Sequence, residues 1–302
     1  MTSTTPQAEL VLDAQNATGE SPVWHAGEQA LYWVDIPAKL LCRWSLQSAA
    51  LTTWEAPEMI ACIASTGTAG GWVAGLETGV FGLELKADGR MDSQLLAPVT
   101  HARGGMRFND GRTDRQGRFL AGTMLMDMSQ GARTGSVYRY DAVAGALVEL
   151  LGGFITPNGM AFSPDGRTMY LSDSHPSVQM VWAFDYDTAT GMPSNRRVFV
   201  DMNAYPGRPD GAAVDADGCY WICGNDAGLI HRFTPDGKLD RSLAVPVKKP
   251  AMCAFGGAGL DTLFVTSIRP GGDVSDQPLA GGLFALRPGV RGLAEAVCSG
   301  AS

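Results

Sequence analysis

A short apolar strand recurs six times along this chain of 302 residues, and four of the six follow a polar residue able to ligate a metal, at nearly one offset. The expected strands are Ala30–Asp35, Gly70–Gly75, Gly117–Gly122, Thr168–Asp173, Cys219–Gly224 and Thr262–Ser267. With Val34, Ala74, Ala121, Ser172, Cys223 and Thr266 taken as equivalent, the steps are 40, 47, 51, 51 and 43 residues. That period belongs to the four-stranded blade of a β-propeller, a unit that buries its faces only against its neighbours. Glu20, Asn109, Asn158 and Asp210 lie 14, 12, 14 and 13 residues before their markers. Equivalent positions in a propeller converge on the central channel, so these four residues are expected to meet there.

A second strand follows each marker: Leu40–Leu46, Gly79–Leu85, Gly135–Asp141, Val178–Asp187, Gly228–Thr234 and Gly281–Pro288. Asp-Gly pairs at 88–89, 165–166, 217–218 and 236–237 supply the positive φ of tight reversals. The alternative, a sandwich or barrel with fortuitous spacing, does not account for six matched units. The expected fold is therefore all-β, a six-bladed β-propeller with four-stranded blades and a metal in the central channel. It forms one domain over residues 1–302, since no linker interrupts the series. Ala8–Leu12 reads as one more strand, expected to close the ring beside the strands of Gly259–Pro288.

Composition narrows the partners. The net charge is −8 and no basic cluster stands out beyond Lys248-Lys249, which argues against nucleic acid. An acidic chain does not attract anions over distance, so a substrate carboxylate needs local arginines. No segment has the length of a membrane-spanning helix, and Met1 to Leu10 lacks the pattern of a leader peptide. The six cysteines stand singly, without a Cys-x-x-Cys pair, as buried thiols of a reducing compartment do. A cytoplasmic location is expected. His25, His101, His175 and His231 share no metal-ligand spacing and read as loop or surface residues.

The four offset-matched residues carry the chemistry. Glu20, Asn158 and Asp210 offer two carboxylates and an amide oxygen, the donors that hard divalent cations select. Asn and Asp beside Gly are also ordinary turn formers, but their repeat where strands should begin favours the metal reading. Pro157 and Pro209 precede two of them, and Gly follows three within two residues. Apolar stretches at Met59–Ala61 and Pro250–Met252 would furnish a pocket wall. Arg107 and Asn109, two apart on one strand, point to one face; Arg107 is read as a substrate contact, with an ion pair as the alternative. Cys219 and Cys223 read as core, and Asp173-Ser174 and Asp127 as borders of the channel mouth or turn caps. No nucleophile elbow, P-loop or dinucleotide fingerprint occurs.

At these motifs the chain resembles the senescence-marker protein/gluconolactonase/regucalcin family. The resemblance rests on Gly19-Glu20-Ser21-Pro22-Val23-Trp24, Arg107-Phe108-Asn109-Asp110-Gly111, Gly122-Thr123-Met124 and Thr156-Pro157-Asn158-Gly159. It continues through Ser163-Pro164-Asp165-Gly166, Pro209-Asp210-Gly211 and Cys253-Ala254-Phe255-Gly256-Gly257, in order from about residue 9 to residue 290. The resemblance implies hydrolysis of a sugar-acid lactone by a propeller with one divalent cation, calcium, zinc, manganese or iron. Glu20, Asn158 and Asp210 would be the metal ligands, with Arg107 and Asn109 on the substrate. Asp210 would also be the catalytic base that takes the proton of the attacking water. The sequence departs from the pattern at Gly207-Arg208-Pro209-Asp210, where an arginine stands two before the ligand. With Arg103 in the loop His101–Met106, it leaves room for a second carboxylate, an aldarolactone in place of an aldonolactone. The competing readings are an esterase or phosphotriesterase of the same fold, and a non-catalytic metal-binding propeller. A monomer or weak oligomer is expected.

Overall fold

The structure, a computed structural model, describes residues 7–300, so the first six residues of the polar Met1–Leu10 stretch lie outside it. Strand β1 (Glu9–Leu12) comes first. Blade 1 follows as β2 (Gly19–His25), β3 (Ala30–Asp35), β4 (Leu40–Ser45) and β5 (Leu51–Glu55). Blade 2 is β6 (Cys62–Ser65), β7 (Gly71–Gly75), β8 (Gly79–Leu85) and β9 (Met91–Pro98). Blade 3 is β10 (Met106–Thr113), β11 (Phe119–Leu125), β12 (Gly135–Asp141) and β13 (Ala146–Phe154). Blade 4 is β14 (Pro157–Phe162), β15 (Thr168–Asp173), β16 (Met180–Asp187) and β17 (Met192–Asp201). Blade 5 is β18 (Arg208–Val214), β19 (Tyr220–Asn225), β20 (Leu229–Phe233) and β21 (Leu239–Ala244). Blade 6 is β22 (Pro250–Gly256), β23 (Thr262–Ser267) and β24 (Leu283–Leu286). Every pairing is antiparallel, and β1 completes blade 6 in the order β1-β24-β23-β22. The clasp expected from Ala8–Leu12 is present.

The inner strands β2, β6, β10, β14, β18 and β22 touch in that cyclic order and enclose the channel. The expected markers are the second strands, with shifted ends. Most notably, β11 runs on past Gly122, because Thr123–Leu125 still pair with Phe108–Met106. Gly281 is left out of β24 because its positive φ places it in a turn against Asn16. Among the described residues no helix is long and apolar enough to cross a membrane.

Alternation along the second strands glues neighbouring blades. In β15, Met169 and Leu171 join the blade 3 side, where Phe154 and Phe162 lie, while Tyr170 faces Tyr220 of blade 5. In β19, Trp221 and Cys223 turn to blade 6, and Tyr220 and Ile222 to blade 4. Such two-sided burial follows from the period of two along a strand. Aromatic rings bridge most seams: Tyr32–Trp72 at 4.4 Å, Tyr170–Tyr220 at 5.0 Å, Trp24–Phe264 at 5.6 Å and Trp221–Phe255 at 6.0 Å.

Buried acids fix the hairpins. Asp215, fully buried, accepts from the backbone N–H of Asp217 and Cys219, from Trp221 Nε1 and from Arg232 Nε, all at 2.8–3.0 Å. Asp114 does the same in blade 3 for Gln116, Arg118 and the Tyr186 hydroxyl. Beyond β24 the chain crosses the far end of the channel as a strap. Gly292 bridges to Asp215, Thr113 Oγ1 donates to the Ala296 carbonyl, and Cys298 N donates to the Ser65 carbonyl. All six cysteines are buried and free.

Because Asp215 serves four donors at once, Asp215→Ala strands them in the core, and a loss of about 3–5 kcal/mol is expected. The denaturation midpoint reads it; an exposed turn acid such as Asp236, replaced likewise, should barely move that midpoint.

Candidate active site

The four offset-matched residues stand near the starts of inner strands, where the ladder slips. In β2–β3 the register passes from Glu20↔Val34 to Val23↔Tyr32; in β14–β15 it passes from Asn158↔Ser172 to Ala161↔Tyr170. Equivalent shifts occur at Phe108/Gly111, Pro209/Ala212 and Pro250/Cys253, leaving only β6 regular against its neighbour. A bulge adds a residue on one strand and re-aims its side chains, and in blades 1, 3, 4 and 5 it lies beside the offset-matched polar residue. The glycines beside them are steric requirements. Gly159 has φ +58°, and a Cβ there would lie 2.6 Å from the Tyr220 hydroxyl; at Gly211 it would lie 2.3 Å from Met252.

Asp210 is the hub of the hydrogen bonding. Its Oδ1 accepts from Asn158 Nδ2 and its Oδ2 from Asn225 Nδ2, each at 2.5 Å. Asn109 Nδ2 donates to the Pro157 carbonyl at 3.1 Å, tying blade 3 to blade 4. Arg107 Nη1 donates to Asn109 Oδ1 at 3.0 Å and to the Phe108 carbonyl at 2.6 Å. Glu20 accepts from its neighbour Ser21 N at 3.3 Å and bonds none of the other three, but it shares their electrostatics. Sequence spacing thus brings Asn158 and Asp210 into contact, Asn109 beside them, and Glu20 within Coulomb range.

Burial raises Glu20 well above the usual carboxylate range, and repulsion from Asp210 and Asp110 adds to it. Burial likewise lifts Asp210 to about 7, against the Asn225 hydrogen bond and the positive charge of Arg208. Asp110 is raised by burial too. Arg107 is lowered by burial to about 10, with the charge of Glu20 opposing the fall. The cause is the same throughout: charged groups removed from water favour their neutral forms unless an opposite charge compensates.

Crowded, desolvated carboxylates call for a cation. Among the described residues no three His, Cys, Asp or Glu side chains converge as a metal cluster, and the expected set has a different make-up, two carboxylates and the Asn158 amide. Its oxygen donors fit a hard divalent cation. Asp110 Oδ1 and Asn225 Oδ1 are buried without a hydrogen-bond partner, spare acceptors beside the same acids. Asn158 turns its Nδ2 to Asp210 here; a half-turn of the amide exchanges N for O and presents Oδ1.

Asn225 and Asp110 are the residues that spacing did not single out. Asn225 ends an otherwise apolar strand, and that lone polar terminus was its signal; Asp110 was masked by the Asp-Gly turn pattern. Other expectations are corrected. His231 is a core residue of β20, 1% exposed, bonded to Ser242 Oγ and the Pro206 carbonyl, and His25 ends a strand. Asp173 does not border an open mouth: it is fully buried and accepts from Ile155 N and Thr156 N. Of its two readings Asp127 takes the second, capping a short 3₁₀ turn, and Arg103 is exposed, with a charge that acts on Asp127. A cavity of about 410 Å³ lies at the strap end, lined by Trp24, Arg112, Phe255 and Glu295 among others and containing none of the channel acids.

Comparison with known proteins agrees with this architecture. A 6-deoxy-6-sulfogluconolactonase of Pseudomonas putida is 37% identical over 296 residues, covering 97% of this chain and 98% of that protein. Regucalcin of Sus scrofa is 35% identical over 295 residues, covering 94% and 96%. The crystal structure of a calcium-binding protein, regucalcin, from Agrobacterium tumefaciens strain C58 superposes with a TM-score of 0.88 at 27% identity, covering 98% and 97%. The model of the SMP-30/gluconolactonase/LRE-like region matches residues 18–269, and the chain belongs to that family.

Proposed function

We propose that this protein is a hydrolase of cyclic esters that opens a sugar-acid lactone to its hydroxy acid, with a divalent cation held by Glu20, Asn158 and Asp210. The observation that carries the reading is the pair of buried, mutually repelling acids at the inner-strand bulges. Family membership and a lactonase relative of matching length support the substrate class. A relative whose structure is described as calcium-binding supports a divalent cation.

When bound, such a cation would polarise the lactone carbonyl and offset the negative charge that develops as water adds. The chain supplies the rest. Asp210, near neutral in its proton affinity, takes the proton of the attacking water as the new C–O bond forms. It returns that proton to the ring oxygen as the ring C–O bond breaks, leaving a carboxylic acid and a hydroxyl. Asn225, donating to Oδ2, holds the carboxylate plane. Arg107 uses one nitrogen for protein bonds, so its remaining N–H groups face the task of holding substrate oxygens, with Asn109 beside it. Met252 and Ile60, both buried, belong to the apolar side of the ring of inner-strand starts.

Two measurements test the reading. Chelator-treated protein, with single cations restored, is assayed on aldono- and aldaro-lactones. A cation should restore turnover, and Asp210→Asn should lower kcat by about 10²–10⁴ while keeping the fold. Turnover retained in that variant removes Asp210 from the mechanism, and no hydrolysis with any cation removes the lactonase reading.

The second concerns stability. Glu20 and Asp210 hold protons in the folded chain to higher pH than they do in the unfolded chain. The cation-free protein is therefore stabilised by them at low pH, and loses that contribution as pH rises from about 4 towards about 7. Melting temperatures of chelated protein at about pH 5 and about pH 8 should differ less in Asp210→Asn than in the native chain. Saturating calcium should narrow the native difference as well; a slope indifferent to both changes argues against a cation at these acids.

A further inference from the structure

The channel mouth carries cations at equivalent places in three blades. Arg107 stands two residues before Asn109 in blade 3, and Arg208 stands two before Asp210 in blade 5. Lys249 stands two before Ala251, the residue that follows Pro250 as Asp210 follows Pro209, in blade 6. Thr18 and Thr156 fill that place in blades 1 and 4. Neighbouring blades therefore present Arg208 and Lys249 side by side, at the end of the inner strands where Asp210 lies.

Asp226 joins the two. Arg208 Nε donates to its Oδ2 at 2.6 Å, and Lys249 Nζ pairs with its Oδ1. Two cations against one carboxylate leave the group with a net positive charge. Among the described residues the guanidinium makes no other hydrogen bond, so both Nη groups keep their donors. The side chains are 22% and 27% exposed, open to a solute but half-anchored.

The supports are rigid. The loop into β18 is pinned by His231 Nε2 against the Pro206 carbonyl at 2.9 Å and by Tyr205 against Phe233. Gly207, with φ +88°, lies so close to Gly224 that a Cβ would stand 2.6 Å from its backbone. Asp226 itself takes φ +76° directly after Asn225, the residue that bonds Asp210. Asn225 and Asp226, adjacent in sequence, therefore orient both Asp210 and Arg208.

We infer that Arg208 and Lys249, clasped by Asp226, form a subsite for a second anionic group on the lactone, at the end remote from its carbonyl. The inference rests on the lactonase reading and names its substrate class: a lactone bearing a terminal carboxylate, sulfonate or phosphate, bound by the planar fork of Arg208. It also resolves a contradiction in the charge. A chain of net charge −8 repels anions at range, so selectivity for one must be built locally. Arg103 is left out of it, being exposed with a charge that acts on Asp127.

The test compares kcat/KM for gluconolactone, which is neutral, with that for glucarolactone, 6-phosphogluconolactone and 6-deoxy-6-sulfogluconolactone. The native enzyme should favour a charged lactone, and which one identifies the anion. Arg208→Gln should reduce the charged-to-neutral ratio about 10- to 100-fold, the range expected for a hydrogen bond to a charged group. Lys249→Met should reduce it less, and Arg208→Lys should recover part. A ratio unchanged in Arg208→Gln, with both substrate types falling together, would mean that the arginine acts only through Asp210 and overturns the subsite. So would a native preference for the neutral lactone.

Should no lactone be hydrolysed, binding still decides. Glucarate should raise the melting temperature more than gluconate does, and Arg208→Gln should abolish the difference. Equal shifts with the two acids, or a difference untouched by the substitution, sink the proposal independently of catalysis.

Discussion

Two acids that repel each other, Glu20 and Asp210, are buried at one end of a single channel, and much of the surrounding structure answers that conflict. A surface loop could relax by turning one carboxylate to water. Here the inner strands are locked on both faces by neighbouring blades, so the side chains stay where the bulges aim them. Asn158 and Asn225 then donate to Asp210, and Arg107 places a charge opposite Glu20. None of these fully offsets the loss of water, which is why the proton affinities remain high. A polar site held in that condition would receive a counter-ion with little rearrangement beyond the half-turn of the Asn158 amide.

The ring geometry explains why one fold can keep a fixed chemical centre and vary its rim. The acids sit within the inner strands, where a displaced residue would disturb a blade seam. The residue two positions earlier lies at the strand entry, where its side chain reaches out of the sheet. Thr18, Arg107, Thr156, Arg208 and Lys249 occupy that place in turn, and their differing charge costs the ladders nothing. Buried centre and mostly half-buried rim therefore answer to separate physical demands although only one residue stands between them.

Much of this was legible from spacing. The period placed six units and their second strands, and the recurrent offset marked Glu20, Asn109, Asn158 and Asp210, because bulges at one height leave a constant interval. The clasp by Glu9–Leu12 was legible because the five residues Ala8–Leu12 had a strand-like pattern and no partner in their own neighbourhood. Other features were hidden for definite reasons. Asp110 carried the signature of a turn, Asp-Gly, while lying inside a strand. His231 was misplaced because a buried histidine declares itself only through partners distant in sequence, Pro206 and Ser242. The hairpin roles of Asp114 and Asp215 also depend on which donors the fold delivers, and no local pattern reveals these.

The pairing of Glu9 with Ala285 has a consequence for the chain as it is made. On the ribosome β1 emerges before its partner β24, with five blades between them, so β1 must wait, unpaired, through the synthesis of those blades. Its sequence Glu9-Leu10-Val11-Leu12 is a short edge with one acidic residue, brief enough to be a poor template for other chains during that interval. The ring cannot close until β24 has been made, and the channel, with the acids it buries, reaches its final dielectric only after that. Assembly of the buried acidic cluster is thereby deferred to the closing of the ring.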